Sequence, residues 1–160
     1  MARRHESLVP LSQDHYHGLL LAQQIRTTDR TILNGWPKDP VGQASYVVEF
    51  YQEHLVPHFQ AEEESLFPQV MEHVPAGREH VKNLLNEHRL VREFIKRFMN
   101  PDSEKTPAQL EKFAELLDGH IRKEERELFP LFEAEAPPEV LERTGHLLHR
   151  SPPDSPAPAS

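Results

Sequence analysis

The chain has 160 residues, eleven histidines, no cysteine and a formal net charge of −8, a size that suits one domain (read as 1–150) with a single core. The missing cysteine excludes a disulfide framework, a thiolate metal site and a cysteine nucleophile, and the acidic balance argues against nucleic-acid binding. No apolar run approaches the ~20 residues of a membrane span and the first residues lack a signal-peptide hydrophobic stretch, so a cytoplasmic protein without membrane contact is expected.

Residues 1–10 are charged, end at Pro10 and read as an arm. Ser12 is a candidate N-cap for a first helix to about Thr28, with Leu8, Leu11, His15, Gly18, Ala22 and Ile25 recurring at three and four on one stripe. His17 falls on another face. Asn34-Gly35, Trp36-Pro37 and Asp39-Pro40 mark residues 29–42 as a loop. A second helix is expected over about 43–72, facing inward with Val47, Phe50, His54, His58, Glu62 and Leu66. Pro57 lies inside it and removes a hydrogen bond, which predicts a kink or break.

The third helix, about 78–99, carries Val81, Leu84, His88, Val91, Ile95 and Phe98 on its stripe. Thr106-Pro107-Ala108-Gln109 reads as an N-cap, a proline at N1 and a glutamine at N3. The fourth helix then runs to about Glu135, with Leu110, Phe113, Leu117, His120, Glu124, Leu128 and Leu131 inward. A short helix to about His149 is expected after Pro137-Pro138, and 151–160 is disordered by composition. No stretch alternates with period two. The fold expected is all-α, an antiparallel up-down-up-down four-helix bundle.

The sequence repeats itself. His58-Phe59-Gln60-Ala61-Glu62-Glu63-Glu64-Ser65-Leu66-Phe67-Pro68 returns as His120-Ile121-Arg122-Lys123-Glu124-Glu125-Arg126-Glu127-Leu128-Phe129-Pro130, keeping the His, both Glu and Leu-Phe-Pro. A histidine and a carboxylate four apart share one helix face and can reach one metal ion. Asp14-His15 and Glu87-His88 open the inward stripes of the first and third helices. Each half is thus one helix with a buried His and one with His-x-x-x-Glu. Two such hairpins about an approximate two-fold axis bring His15, His58, Glu62, His88, His120 and Glu124 together.

Four imidazoles and two carboxylates suit iron, manganese or zinc better than calcium or magnesium. Two carboxylates from opposite helices can bridge two metals and leave room for a small ligand. A lone histidine on an apolar stripe is ordinarily a hydrogen-bonded core residue, but burying all six groups without partners would be very costly. Glu63 and Glu125 point about 100° away and read as surface or supporting residues. Leu-Phe-Pro reads as a packing and helix-end feature. His54, one turn before His58, is either a ligand or part of a polar pocket or access channel. His73, His80, His146 and His149 read as surface residues.

On these residues, over about 8–135, the chain resembles the hemerythrin-like proteins of the HHE cation-binding domain family. The resemblance implies a four-helix bundle holding two non-heme iron ions, oxo- or hydroxo-bridged, with His15, His58, Glu62, His88, His120 and Glu124 as ligands and both glutamates bridging. One departure matters. Oxygen-carrying members have His-x-x-x-His on the third helix, whereas here Leu84 precedes His88. That turns the expected role from oxygen carriage towards binding or sensing dioxygen, another small oxidant or iron. The alternatives are a di-iron enzyme that turns over peroxide or nitric oxide or releases iron for cluster repair, and a plain interaction bundle with a polar core. A sensory output would need a separate protein partner.

Overall fold

The computed structural model describes residues 3–149, and the tail expected to be disordered at 151–160 lies outside them. A single 3-10 turn, Glu6–Leu8, leads into α1 (Val9–Arg26). Next come α2 (40–73), α3 (Arg78–Met99), α4 (106–135) and α5 (Pro138–His149), and no strand occurs among the described residues.

Cross-helix contacts give the topology. Asp14 meets His58 and His17 meets His54, so α1 and α2 are antiparallel. Glu63 meets His88 and the Met71 carbonyl meets Arg78 between α2 and α3. Glu87 meets His120 and Phe98 meets Phe113 between α3 and α4. Ser12 meets Glu125 and Arg26 approaches Asp118 between α4 and α1. The four long helices close into the up-down-up-down bundle, and α5 packs across one end against the N-terminal turn.

The chain starts its helices somewhat differently from the sequence reading. Residues 3–10 do not form a loose arm: Leu8 is fully buried, and Arg4 bonds Glu125 and Glu133. Ser12 lies inside α1 rather than capping it, and its hydroxyl donates to Glu125 instead. Asp39 caps α2, accepting from the Gly42 N–H at 2.8 Å with Pro40 in the first turn, so that helix begins at 40. Thr106 is buried within the first turn of α4, its N–H held by the Asp102 carbonyl, and makes no side-chain cap.

Nor does α2 break at Pro57. A proline cannot donate to the carbonyl four back and its ring crowds that oxygen. Here the preceding turn widens: Tyr51–Leu55 is π-helical, and the Val56 N–H donates to Tyr51 five residues back. The same device precedes Pro68, where Phe67 donates to Glu62, and Pro130, where Phe129 donates to Glu124. Leu-Phe-Pro is therefore not a helix end. It is the exit from a π-turn that starts at the inward glutamate, with the helix running on for another seven residues in each copy. Such turns place extra side chains round one helix at functional sites.

The apolar side chains form two clusters. One, around Leu8, Leu66, Phe67, Leu84, Phe129 and Phe132, fills the end covered by α5. The other, around Leu21, Val47, Phe98, Leu110, Phe113 and Leu117, fills the opposite end. Each fully buried side chain contributes roughly 1.5–3 kcal/mol. Between them lies a layer of buried polar side chains.

Candidate metal centre

That layer contains His15, His58, Glu62, His88, His120 and Glu124, each no more than 4 % exposed. The structure brings all six together. Glu62 lies 3.5 Å from His58 Nε2 and 3.1 Å from His88 Nε2. Glu124 lies 3.3 Å from His15 Nε2 and 3.1 Å from His120 Nε2. The imidazoles pair, with ring centroids 4.9 Å apart for His15 and His58 and 4.8 Å apart for His88 and His120. Each carboxylate therefore touches one ring of each pair. Ligand atoms of His15, His58, Glu62 and Glu124 fall within 4.8 Å of one another, as do those of Glu62, His88 and His120.

The other ring nitrogen of every histidine is also held. His58 Nδ1 lies 2.9 Å from Asp14, His88 Nδ1 2.7 Å from Glu63, His120 Nδ1 2.9 Å from Glu87 and His15 Nδ1 2.7 Å from Glu125. These links form a closed circuit. Each helix offers a carboxylate to the histidine of the next, from α1 to α2, α3, α4 and back to α1. An Nδ1–H donating outward fixes the tautomer and turns Nε2 inward as an acceptor. Three of the four carboxylates have further partners: Glu63 bonds Arg92, Glu87 bonds Lys123, and Glu125 bonds Arg4 and Ser12. Asp14 is 53 % exposed and has no cationic partner among the described residues.

Sequence reading left Glu63 and Glu125 between surface and support, and gave Asp14 and Glu87 no role. A signal was present, since each of the four is adjacent in sequence to one of the six central residues. What hid it is that each acid serves the histidine of a neighbouring helix. His54 corrects the other way. It is 51 % exposed, packs on Phe50 and stacks against His17, and so stands outside the central group. In α2 it is Leu55, three residues before His58, that turns inward, and His54, four before, that does not.

Charge is divided unevenly across the layer. Burial and the Glu124 charge push the Glu62 carboxyl well above its ordinary value. Glu124 is held well down, against its burial, chiefly by His120. His120 is pushed up to about 10, because Glu124 and Glu87 outweigh burial. Burial and the neighbouring His120 take His88 down to about 4. Burial would lower His15, but Glu124 and Glu125 raise it.

Hydrogen bonding does not satisfy the layer. His15 Nε2, His58 Nε2, His120 Nε2, Glu62 Oε2 and both oxygens of Glu124 are buried without a hydrogen-bond partner. Each such atom costs about 1–3 kcal/mol, a sum that a polar core made only of these groups could not carry. Inward-facing nitrogens and carboxylate oxygens are the donor set of a transition-metal site, and the residues fit one.

Beside the layer, between α1, α2 and α4, is a cavity of about 10 Å³ that reaches His15, His58 and His120. That is room for about one water-sized molecule. Gly18, Leu55 and Ile121 wall it, and the exposed Asp14 and His54 stand at its outer edge. Among the described residues no helix is long and apolar enough to cross a membrane.

Comparison with protein families matches residues 9–132 to the model described as Hemerythrin HHE cation binding domain. Comparison with curated proteins and with solved structures returned no match.

Proposed function

The chain belongs to the hemerythrin HHE cation-binding domain family, a metal-binding family, and from that premise we propose that its core holds two iron ions and binds or senses dioxygen or another small oxidant. The observation that carries this reading is the pair of glutamates, each within 3.5 Å of one histidine from either pair, with unpartnered oxygens facing the unpartnered Nε2 atoms. His15 and His58 would hold one ion, His88 and His120 the other, and Glu62 and Glu124 would span both. Manganese or zinc would suit the same donors. Two ions so held supply redox and ligand-binding chemistry towards dioxygen, peroxide or nitric oxide.

The chain's own residues set the terms. The circuit of four carboxylates holds each Nδ1 proton and keeps Nε2 available. The two apolar clusters exclude bulk water from both ends. The cavity walled by Gly18 and Ile121 admits a molecule of two or three atoms and little more. Leu84 is buried in the apolar cluster, so α3 offers the centre one imidazole, that of His88. That supports binding or sensing over reversible carriage.

Metal analysis of the purified protein, with its ultraviolet–visible spectrum under air, after anaerobic reduction and with azide, tests the proposal. The expected result is about two irons per chain and a charge-transfer absorption that changes with each treatment. A protein that neither contains iron nor takes it up on reconstitution overturns it.

A further inference from the structure

A second group of metal-ligating side chains lies outside the core, where α5 meets the N-terminal turn. The approach there is close because residue 145 is glycine: a Cβ would stand 3.2 Å from the Ser7 Cα and 3.1 Å from its Cβ. Between the two segments runs a groove of about 490 Å³. Glu142, His146 and His149 line it from α5, and His5 and Glu6 line it from the turn. Positions 142, 146 and 149 are spaced at four and three, so their side chains share one helix face. Glu142 Oε1 and His146 Nε2 are already 3.8 Å apart.

One of the rings is oriented as the core histidines are: His149 Nδ1 donates to the Gly145 carbonyl at 2.6 Å and leaves Nε2 as its ligating atom. His5 Nδ1 instead accepts from the Ser7 N–H at 3.1 Å and lies 2.8 Å from the Ser7 hydroxyl. His5 ligates through Nε2 once its proton moves to Nδ1 and donates to that hydroxyl, at the cost of the Ser7 N–H bond.

We propose that this groove is a second, exposed site for a divalent transition-metal ion, with His5, Glu142, His146 and His149 as its ligands. Three imidazoles and a carboxylate select zinc, nickel, cobalt or ferrous iron over calcium and magnesium. The donors are not gathered as tightly as the two core groups. Glu142 and His146 are each 77 % exposed, so their side chains are free to turn towards an ion. The site is weaker than the core and fills after it. Its ligands come from both segments, so an ion there ties the N-terminal turn to α5. Arg4, next in sequence to His5, bonds the Glu125 that holds His15, so this tie reaches the core through one residue.

The test is calorimetric titration of nickel(II), and separately zinc(II), into the full-length protein after its core has been loaded, with core metal measured in the same samples. One further ion per chain is expected. His146→Ala/His149→Ala and, separately, His5→Ala each weaken it at least tenfold and leave core metal unchanged, while His17→Ala/His54→Ala has no effect. Nickel also raises the melting temperature of the wild type but not of the His146→Ala/His149→Ala variant. The inference is overturned if no further ion binds, if the double variant titrates like the wild type, or if His5→Ala does, since the ion would then not join the two segments. A core that takes up no metal would instead defeat the proposed function. The outer ion would still be counted by its loss in the double variant.

Discussion

In the half built from α1 and α2, His15 and His58 border a cavity; in the half built from α3 and α4, His88 is sealed by phenylalanine. Phe59 stacks on His88 at 3.8 Å and Phe67 at 5.7 Å. In the repeat the position matching Phe59 is Ile121, and the position three after the α1 histidine is Gly18 where α3 has Val91. Ile121 leans into the space a side chain at 18 would take, since a Cβ there would meet its Cδ1 at 2.8 Å. Phe129 still covers one face of His15, at 5.5 Å. Two changes of bulk thus leave one side of a nearly symmetric layer open. The duplicated residues set the chemistry, and the neighbours that were not kept alike set the access.

The sharpest break of the comparison is a residue that serves both halves. Glu62 contacts His58 and His88, so Glu62→Ala should empty both sides, lowering metal affinity at least ~100-fold. His88→Ala strikes one half and should leave about one ion per chain. Metal analysis after dialysis distinguishes them, and two retained ions in Glu62→Ala would remove its bridging position.

Next comes the difference in packing itself. Ile121→Phe copies the sealed half into the open one and should slow azide or nitric oxide binding about tenfold in stopped-flow traces, with metal content unchanged. Phe59→Ile copies the open half into the sealed one. It should give His88 a cavity and cost about 1–3 kcal/mol in denaturant unfolding. Unchanged ligand rates in both variants would mean that Gly18 and Ile121 do not control access.

The supporting carboxylates differ between positions in the same graded way. Glu125→Gln and Glu87→Gln remove partners that are themselves pinned by Arg4, Ser12 or Lys123, and each should weaken metal binding about tenfold. Asp14→Asn, at an exposed carboxylate without a cation, should cost only a few-fold. Competition with a chromophoric chelator measures all three.

Acidity gives a smaller effect that metal should erase. In the metal-free protein His120 holds its proton up to about 10, against roughly 6.5 in an unfolded chain. A raised value means the folded state binds the proton more tightly. Its contribution is complete below pH 6.5 and is lost as pH climbs towards 10. His15 and Glu62, both raised, add in the same direction. The melting temperature of metal-free protein should therefore fall between pH 6.5 and 10. The loaded protein should fall less, because metal displaces these protons. Parallel slopes would contradict this charge assignment.

How much of the molecule is legible in its sequence follows from which interactions are local. The bundle was readable because Val81, Leu84, His88, Val91, Ile95 and Phe98 mark one face without help from any other helix. The six central residues were readable because the repeat places them at matching stripe positions. The circuit of Asp14, Glu63, Glu87 and Glu125 was not, since each bond crosses to a helix whose rotation the sequence does not state. The π-turns were hidden for a related reason. Three prolines inside long apolar patterns signal a defect, but one extra residue per turn and a break look alike until the backbone bonds are seen.

The smallest effect concerns the π-turn before Pro57. Positions 55 and 54 stand three and four residues before His58, and a regular helix puts either within about 60° of it. The stripe passes through Leu55, and His54 lies at the surface beside His17. His54→Ala should then leave core metal content unchanged and shift stability by no more than about 0.5 kcal/mol, as at other surface positions. Leu55→Ala, at a side chain 5 % exposed, should cost about 2–5 kcal/mol. The reversed order, with His54→Ala losing metal and Leu55→Ala tolerated, would mean that α2 is turned so that Leu55 leaves the wall of the cavity and His54 faces the metal centre.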